Sequence, residues 1–530
     1  MSAITPQTEL RLIKCPIESD NRNQMTFSNA TAQFNYFNKL PHLEVDNFTY
    51  QRKDSVIRYP AHIDSILTYN YVMYQNEAYS NKWFYAFITS MEYVNDNMTF
   101  ITIKTDVYQT WQFDIVWKRS FIEREHVNDD TIGKHTLPEN IETGEFKINS
   151  VYSDPNLDQA SDSHYYLATT LDLSGVGTQN PLKQNGGGLY NGVYSGCKYY
   201  RFTRQNYGSI KAILQWIANC GQLDGVVGLF LCPSMLDTSS SNEVAESNNP
   251  ISYNLSVAKT YGLDGYTPKN NKMYTYPYCY LNVTNGGGDA HIYRYEFFST
   301  SNCQFNVKGL LAPGGSFRLI PKNYNGQNEN NQEVLGLGKF PICNYSVDMY
   351  TNWLTQNSVN IAGHTWNADE FSGMSALTSI FGVGSSIYKG DLIGASSGGI
   401  GAFTNIGNAM IQKKQHELIT NAVHGDLNNG DVTTASGNNC YKFYRMSVRS
   451  EYAKLIDDYF SMYGYQVNQV AIPHITGRLN WNFVKTIGAN IEGNIPENDI
   501  NELKSIFNTG VTLWHNPSTY LDYSQSNGII

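Results

Sequence analysis

Charged side chains are scarce in this sequence. Its 530 residues include 37 Lys and Arg and 47 Asp and Glu, which make up 16% of the chain and give a formal net charge of −10. A protein surface that binds nucleic-acid phosphates needs clustered Lys and Arg. The composition therefore argues against such a surface, although an acidic wall can let a polyanion slide past.

Cysteine pairs are also missing. Since no C-x-x-C pair occurs, neither a zinc ribbon nor a dithiol redox centre is encoded. A free cysteine behaves as a small buried apolar residue, so we expect the cysteines to be reduced core residues. The eight are Cys15, Cys197, Cys220, Cys232, Cys279, Cys303, Cys343 and Cys440.

The N-terminus lacks the marks of a secretory signal. Its first residues, MSAITPQTEL, contain neither a basic region nor an apolar core. A Sec-type signal requires both. We therefore expect the protein to fold in a cytoplasm.

Several catalytic patterns occur without the context that their chemistry needs. GASSG at 394–398 satisfies G-x-S-x-G, but its neighbouring glycines give Ser396 no rigid strand for a nucleophile elbow. DLNNGD at 426–431 misplaces the Gly of a calcium loop and lacks its final Glu. GLGK at 336–339 lacks the remaining residues of a phosphate-binding loop. We expect none of them to be functional.

The remaining candidates are acidic and histidine side chains. Glu123 and Glu125 are two positions apart on a predicted strand, so we expect them on one face beside Arg124, at a solvated or salt-bridged edge. The eleven His never fall in H-E-x-x-H spacing and are expected in the core or in turns. The sequence thus predicts no catalytic residue, no metal, no cofactor and no enzymatic activity.

Length and composition predict several β-rich domains. A chain of 530 residues is too long for one core and should form roughly two to four domains. It contains 39 Tyr, 24 Phe and 43 Gly, a usage that favours strands and turns over helices.

The N-terminal region reads as a compact mixed domain. The run 84–106 places two strand patterns around Asn95-Asp96-Asn97 and predicts a hairpin. A short helix capped by Asp106 should follow, with Trp111 and Phe113 making large apolar contacts.

The middle of the chain, 128–370, reads as β-rich. Strands are predicted at 280–285, 291–300 and 316–322, between turns rich in Gly and Asn. One helix is predicted at 209–221, with an apolar stripe and a C-terminal glycine: Ile210, Ile213, Leu214, Ile217 and Gly221.

After residue 440 the pattern becomes α/β. A helix is predicted at 451–464, a strand at 465–472 and a second helix at 495–510, which starts near Pro496 and ends at Gly510. The residues expected to face inward are Leu455, Ile456, Tyr459 and Phe460 in the first helix and Ile500, Leu503, Ile506 and Phe507 in the second.

Residues 371–410 form a stretch that is unusually apolar and rich in small residues. Its only charges after Phe371 are Lys389 and Asp391. Gly or Ser interrupts it every few positions, which argues against an ordinary membrane-spanning helix. Its large apolar residues form two arms around the polar tip: Leu377, Ile380, Phe381 and Ile387 in the first, and Leu392, Ile393, Ile400, Phe403 and Ile406 in the second.

Two apolar arms around a polar tip suggest a hairpin that can refold at a membrane. Small residues allow close helix packing in lipid. From composition alone, the alternative is a loop that plugs a tube or packs in the core. The polar run 424–439 after the stretch predicts a flexible connector.

Three segments carry a resemblance to a known family. They are DVYQTWQFDI with SFIEREHV (within 106–127), GYQVNQVAIP (464–473) and NWNFVKTIGANIEGNIPENDINELKSIFNTGVTLWH (480–515). Together they resemble the tail-knob proteins of small short-tailed phages of Gram-positive bacteria. In that family a long apolar loop is inserted before the C-terminal region, as 371–440 is inserted here.

The resemblance implies a mainly β fold with α+β parts, in a multi-domain subunit of a hexameric tube. The implied domains are an N-terminal tube domain (1–127), a β-rich knob region (128–370), the apolar loop with its connector (371–440) and a C-terminal α/β region (441–530) that packs with the N-terminal domain. The tube would sit at the distal end of the tail in the virion, after assembly in the bacterial cytoplasm.

The function implied is genome ejection through the tube, with the nine apolar residues of the two arms penetrating the host cytoplasmic membrane. The implied partners are five further copies of the chain, other tail proteins, the host membrane and viral DNA that passes without sequence-specific binding. Two alternatives remain at this point: an adhesin that binds cell-wall glycans through Tyr-rich loops, and a peptidoglycan hydrolase.

Overall fold

The computed structural model describes residues 9–45, 48–51, 55–76, 82–157, 163–203, 207–233, 242–285, 290–310, 316–328, 337–341, 343–344 and 441–530. The chain divides into two compact units. Unit 1 comprises Met1–Gly144, Tyr266–Met273 and Ser450–Ile530, and unit 2 comprises Glu145–Gly265 and Tyr274–Arg449.

Strands dominate the described residues. The first fourteen are β1 (Leu10–Ile13), β2 (Asn23–Met25), β3 (His42–Val45), β4 (Thr49–Gln51), β5 (Val56–Tyr59), β6 (Tyr71–Asn76), β7 (Lys82–Asn95), β8 (Met98–Thr105), β9 (Val116–Trp117), β10 (Ser120–Glu125), β11 (Phe146–Ser153), β12 (Ser163–Thr169), β13 (Gly188–Tyr190) and β14 (Val193–Ser195). The others are β15 (Lys198–Thr203), β16 (Val226–Pro233), β17 (Ile251–Ala258), β18 (Cys279–Thr284), β19 (Ala290–Tyr293), β20 (Asn302–Gly309), β21 (Ser316–Lys322), β22 (Leu337–Pro341), β23 (Cys343–Asn344), β24 (Lys442–Val448), β25 (Tyr465–Ala471), β26 (Trp481–Ile487), β27 (Ile491–Glu492) and β28 (Val511–Trp514).

The helices are fewer, so the architecture is mainly β with α+β parts, as predicted. The α-helices of the described residues are α1 (Ala30–Lys39), α2 (Val107–Trp111), α3 (Tyr207–Asn219), α4 (Ser450–Tyr463) and α5 (Glu497–Thr509). Short 3-10 turns occur at Ile63–Ser65, Pro155–Leu157, Leu173–Gly175, Leu223–Gly225, Asn271–Tyr274, Tyr295–Phe297 and Pro517–Thr519.

Unit 1 is built on two sheets. The first has seven antiparallel strands in the order β3-β1-β6-β7-β8-β5-β4. The second has the order β2-β28-β26-β10-β25 and is antiparallel except where β2 pairs with β28. Strands β9 and β27 form a separate pair. The predicted hairpin is confirmed, because β7 and β8 pair up to Asn95 and Met98.

Helices α2 and α5 supply much of the core of unit 1. Asp106 caps α2 as predicted, since its carboxylate accepts a hydrogen bond from the Gln109 amide at 3.1 Å. Trp111 Nε1 donates to Asp499 Oδ2 at 2.8 Å and ties α2 to the first turn of α5. The expectation for Phe113 is wrong: it follows the helix and is 44% exposed.

Helix α4 is confirmed, but its buried face differs from the prediction. Leu455 is 68% exposed, which makes its inward placement wrong. The helix ends at Gly464, whose φ is +65° and where a Cβ would overlap the carbonyl of Glu125. The buried stripe follows helical spacing and consists of Ala453, Ile456, Asp457 and Phe460.

Residues 266–273 belong to unit 1, although both flanking stretches belong to unit 2. The wholly buried Asp457 of α4 holds them: its Oδ1 accepts from the Asn270 amide at 3.0 Å, and its Oδ2 accepts from the Lys269 amide at 2.7 Å. We call residues 266–273 the clasp.

The clasp also contributes to a buried ionic cluster. Glu139 accepts hydrogen bonds from Lys272 of the clasp and from Arg124 of β10. It further accepts from the Gln466 amide at 3.0 Å. The side chains of Glu139 and Lys272 are 1% and 2% exposed, so one carboxylate satisfies two buried cations.

The described residues of unit 2 form three four-stranded sheets and one hairpin. Their orders are β11-β24-β18-β19, β15-β12-β16-β23 and β17-β20-β21-β22, and β13 pairs with β14. Helix α3 is confirmed, with Ile210, Leu214 and Ile217 fully buried. The strands predicted at 280–285 and 316–322 are confirmed as β18 and β21.

One predicted strand of unit 2 is wrong over most of its length. The run 291–300 is a strand only up to Tyr293 and then forms a 3-10 turn over Tyr295–Phe297. Tyr295 and Phe298 are both buried, and a spacing of three residues puts them on one side of a 3-10 turn but on opposite faces of a strand.

Candidate functional site

The residues predicted to act at a membrane lie outside the described part of the chain. The nine large residues of the two arms, together with Ser396 and the run 426–431, all fall within 345–440. The structure does describe the residues at the two ends of the inserted segment, 337–344 (except 342) before it and those from Tyr441 after it. We call these residues the base of the segment.

The segment leaves from two short strands. Strand β22 pairs antiparallel with β21, with Phe340 opposite Phe317 and Pro341 opposite Ser316. Strand β23 then pairs with β16 of another sheet, with Asn344 opposite Phe230. The chain is thus hydrogen-bonded to two sheets of unit 2 before residue 345.

The first described residue after the segment is a buried tyrosine. Tyr441 is 1% exposed, and its hydroxyl donates a hydrogen bond to the carbonyl oxygen of Phe317 at 3.2 Å. Burial raises the pKa of Tyr441 well above its usual value, so the hydroxyl stays protonated as a donor. The next residues form β24, which lies between β11 and β18 in the centre of a sheet.

The two ends of the segment therefore meet at one residue. Phe317 of β21 pairs with Phe340 on the outgoing side and accepts from Tyr441 on the returning side. Closing a long loop costs only about 0.6 kcal/mol more for each doubling of its length. The described strands and Tyr441 thus fix both ends of residues 345–440 to unit 2.

The paired glutamates do not assemble an acid–base site. The ladder of β10 shifts register between Ile122 and Arg124, and β10 lies inside its sheet, between β26 and β25. Glu123 forms an ion pair with Lys485 at 2.8 Å, as a salt-bridged residue should. The prediction is wrong for Glu125, which is fully buried.

Glu125 has a structural role. Its Oε2 accepts from the His474 amide at 2.8 Å, and its Oε1 accepts from Gln469 Nε2 at 3.2 Å. These contacts fix the backbone after β25. The bulge in β10 turns Arg124 and Glu125 both inward, and a simple alternation of faces does not foresee that.

Two of the described histidines, His126 and His515, lie in environments that disfavour a charge. Burial lowers the pKa of His126 to about 3 and that of His515 to about 4. The neutral ring of His126 accepts from the Phe483 amide through Nδ1 at 2.7 Å, and its Nε2 lies 3.1 Å from the Ser461 carbonyl. This histidine is a satisfied core residue, as expected.

The described residues contain no group of His, Cys, Asp and Glu placed to hold a metal ion. Within the same residues, no helix is both long and apolar enough to span a bilayer. Of the cysteines, Cys15, Cys197, Cys220, Cys279 and Cys303 are free thiols.

A pocket of about 520 Å³ opens beside the β13–β14 hairpin in unit 2. Its rim residue Tyr194 is 67% exposed. Ligand pockets fix polar ligands with several convergent polar groups. This lining is mainly aromatic and aliphatic and gives the glycan-binding alternative no specific support: Tyr190, Val193, Tyr194, Tyr199, Val227 and Leu310.

Comparison with known proteins gives a consistent result over the whole chain. Residues 241–528 match the family of the C-terminal domain of the Bacillus phage phi29 tail knob protein gp9, and residues 6–118 match the caudoviral major tail protein N-terminus. The chain is 24% identical to tail knob protein gp9 of Bacillus phage phi29 over 583 aligned positions, covering 96% of both chains. It is 25% identical to tail knob protein gp9 of Bacillus phage B103 over 594 positions, covering 98% of both.

The solved structure of the bacteriophage C1 tail knob protein gp12 has the same fold. It aligns with 99% of this chain and 100% of its own length, with a TM-score of 0.63 and 15% sequence identity. The agreement spans both units.

Proposed function

The chain belongs to the phage tail knob family typified by gp9 of Bacillus phage phi29, and from this premise we propose that it forms a hexameric tube for genome ejection whose apolar segment penetrates the host membrane. In this role it is a structural subunit at the distal end of the virion tail and performs no catalytic turnover. Its further partners are other tail proteins, the host cytoplasmic membrane and DNA that passes through the lumen.

The observation that carries the proposal is the base of the segment. Before the segment, Phe340 pairs with Phe317 and β23 pairs with β16 up to residue 344; after the segment, Tyr441 donates a hydrogen bond to Phe317. A segment fixed at both ends in this way can move to the membrane while unit 2 stays folded. The net charge of −10 suits a lumen that does not bind DNA tightly.

Insertion of the segment into lipid is favourable on a balance of free energies. Each large apolar side chain moved out of water contributes roughly 1.5–3 kcal/mol. The nine such residues outweigh Lys389, whose placement at the bilayer centre costs only about 3 kcal/mol on insertion scales. Unpaired backbone groups oppose insertion, so several copies of the segment must satisfy one another.

Dye release from liposomes tests the membrane role. The intact protein should release dye, whereas a variant without 371–440 and the double variant Ile380→Asp, Phe403→Asp should not. Leu455→Asp is a matched control, because Leu455 is 68% exposed outside the segment and a charge there should leave release unchanged. Equal release by the intact protein and the deletion variant would exclude the membrane role.

The mass of the assembled protein tests the ring separately. Native mass spectrometry should give six times the 59.8 kDa of one chain. A folded protein that stays monomeric at all concentrations would contradict the tube and leave the liposome result to be judged alone.

A further inference from the structure

The pocket beside the β13–β14 hairpin of unit 2 is lined by apolar side chains that face water. Its volume of about 520 Å³ lies within the range of small-ligand sites. Four of its lining residues are large, apolar and exposed: Tyr194 at 67%, Val193 at 55%, Val227 at 46% and Leu310 at 38%. Exposed apolar side chains that converge on one concave surface indicate a binding site.

The hairpin, which supplies one wall of the pocket, is fixed by backbone contacts. The Gly192 amide donates to the Ser247 carbonyl at 3.0 Å, and the Ser247 amide donates to the Leu189 carbonyl at 2.9 Å. Just before the hairpin, Gly187 has a φ of +73°, and a Cβ there would lie 2.2 Å from the Ser195 carbonyl oxygen. The wall is therefore formed before a ligand arrives, which lowers the entropic cost of binding.

The exposed ring of Tyr194 is also held in place. Its hydroxyl donates to the Gly186 carbonyl, before β13, at 2.5 Å. The hydrogen bond keeps the ring at the pocket while its apolar face stays in water. Such a face offers a flat contact surface for a second ring, because aromatic pairs in offset-stacked or edge-to-face arrangements attract one another.

The lining disfavours charged and strongly polar ligands. Its ten described residues include no Asp, Glu, Lys, Arg or His. Ser195 Oγ lies 3.2 Å from both Cys197 Sγ and the Tyr199 hydroxyl, so these polar groups satisfy one another. Tyr190 and Tyr199 are only 4% and 1% exposed, so their hydroxyls add little polar surface. A charged ligand or a sugar would therefore lose hydration without gaining matched partners.

We propose that this pocket binds a small neutral aromatic ligand, whose ring packs on Tyr194 and contacts Val227 and Leu310. The site uses none of residues 371–410, so it is independent of the membrane role proposed above. It also differs from the glycan-binding alternative, because a sugar presents several hydroxyl groups that this lining leaves unpaired.

Binding of 2-naphthol to the full-length protein tests the proposal. This probe is neutral at neutral pH, aromatic and fluorescent, so a titration gives its affinity, and we expect saturable binding. Val227→Asp puts a charge into the lining and should weaken binding at least about tenfold, which corresponds to about 1.4 kcal/mol. Val151→Asp is the matched control, since Val151 is 53% exposed elsewhere in unit 2. Its affinity should stay within about twofold of the parent.

Protection of Cys197 gives a second measurement that needs no variant. Cys197 lines the pocket, whereas the partly exposed Cys220 does not. Saturating 2-naphthol should slow the alkylation of Cys197 by iodoacetamide severalfold, as measured by peptide mass spectrometry. The alkylation of Cys220 should not change.

The absence of saturable binding, an affinity that Val227→Asp leaves unchanged, or an unprotected Cys197 would each overturn the proposal. Methyl α-glucopyranoside tests the glycan alternative and should not displace 2-naphthol. If this sugar binds and Val227→Asp abolishes its binding, the pocket is a glycan site and the aromatic assignment is wrong. Dye release judges the membrane role separately, so either proposal can fail alone.

Discussion

Loss of the Glu139 charge should destabilise unit 1 more than loss of the Lys272 charge, although the two side chains form one buried pair. In Glu139→Gln, Lys272 and Arg124 remain close together without their shared carboxylate. Breaking a buried pair by removing one partner typically costs about 3–5 kcal/mol. In Lys272→Met, the pair of Arg124 and Glu139 stays balanced, and burial already disfavours the Lys272 charge by lowering its pKa. That change should cost about 2 kcal/mol or less.

Two measurements check this asymmetry. Urea unfolding should rank the variants, and hydrogen exchange should show faster opening of the clasp in Glu139→Gln, because Lys272 belongs to it. The double variant Glu139→Gln, Lys272→Met should regain part of the loss, since Arg124 is then the one cation of the cluster that has lost the Glu139 carboxylate. Glu145→Gln is the control: its ion pair with Arg449 has side chains 66% and 47% exposed and should contribute under about 1 kcal/mol.

Two outcomes would contradict this prediction: a larger loss of stability in Lys272→Met than in Glu139→Gln, or a loss in Glu139→Gln no larger than that in Glu145→Gln. Either result would mean that Glu139 does not compensate the two cations in the folded protein.

Gly464→Ala should lower the free energy of unfolding, measured in urea, by about 2 kcal/mol or more, because φ is +65° and the Cβ would overlap the Glu125 carbonyl. Gly177→Ala is the control: its φ is +82° but the space around it is open, so it should lower the free energy of unfolding by about 1 kcal/mol. In the folded state the pKa of His126 is lowered to about 3. The neutral ring therefore stabilises the folded protein fully above pH 6.5, and this stabilisation is lost as the pH falls towards 3. His126→Asn should lower the slope of the free energy of unfolding against pH by about 1.4 kcal/mol per pH unit between pH 6 and pH 4. Purified Gram-positive walls and ester, glycoside and nucleotide substrates should show no turnover, and sustained turnover that Ser396→Ala or Glu123→Gln abolishes would contradict the structural role.

Local signals in the sequence predicted many elements of the fold. The Asp106 cap, the stop at Gly464 and the strand at 316–322 each depend on residues within a few positions of one another. Hairpin, cap and glycine signals are of this kind, so sequence reading finds them.

The errors have a common physical origin, because burial is decided by distant parts of the chain. Leu455 fits a helical stripe by hydrophobicity, yet the buried stripe includes the charged Asp457, which binds the clasp. The sequence predicts Glu125 at the edge of a sheet, yet β25 pairs with β10 and places β10 inside the sheet. Hydrophobicity does not reveal a polar partner that lies hundreds of residues away in the sequence.

The contacts at the base of the inserted segment could not be predicted from the sequence, for the same reason. The hydrogen bond from Tyr441 to Phe317 spans 124 positions, and neither residue carries a local signal. By contrast, the unusual composition of 371–410 was visible at once, because a shortage of charge needs no partner to be recognised.

The route of the backbone through the two units affects how the protein carries mechanical load. The chain crosses between them after Gly144, Gly265, Met273 and Arg449. Four covalent connections therefore link the two units, whereas two domains joined by one linker have a single connection. Two of the four connections flank the clasp, so tension reaches the buried contacts of Asp457 and Glu139 directly. Part of the work of separating the units would go into breaking the contacts that hold the eight residues of the clasp in unit 1.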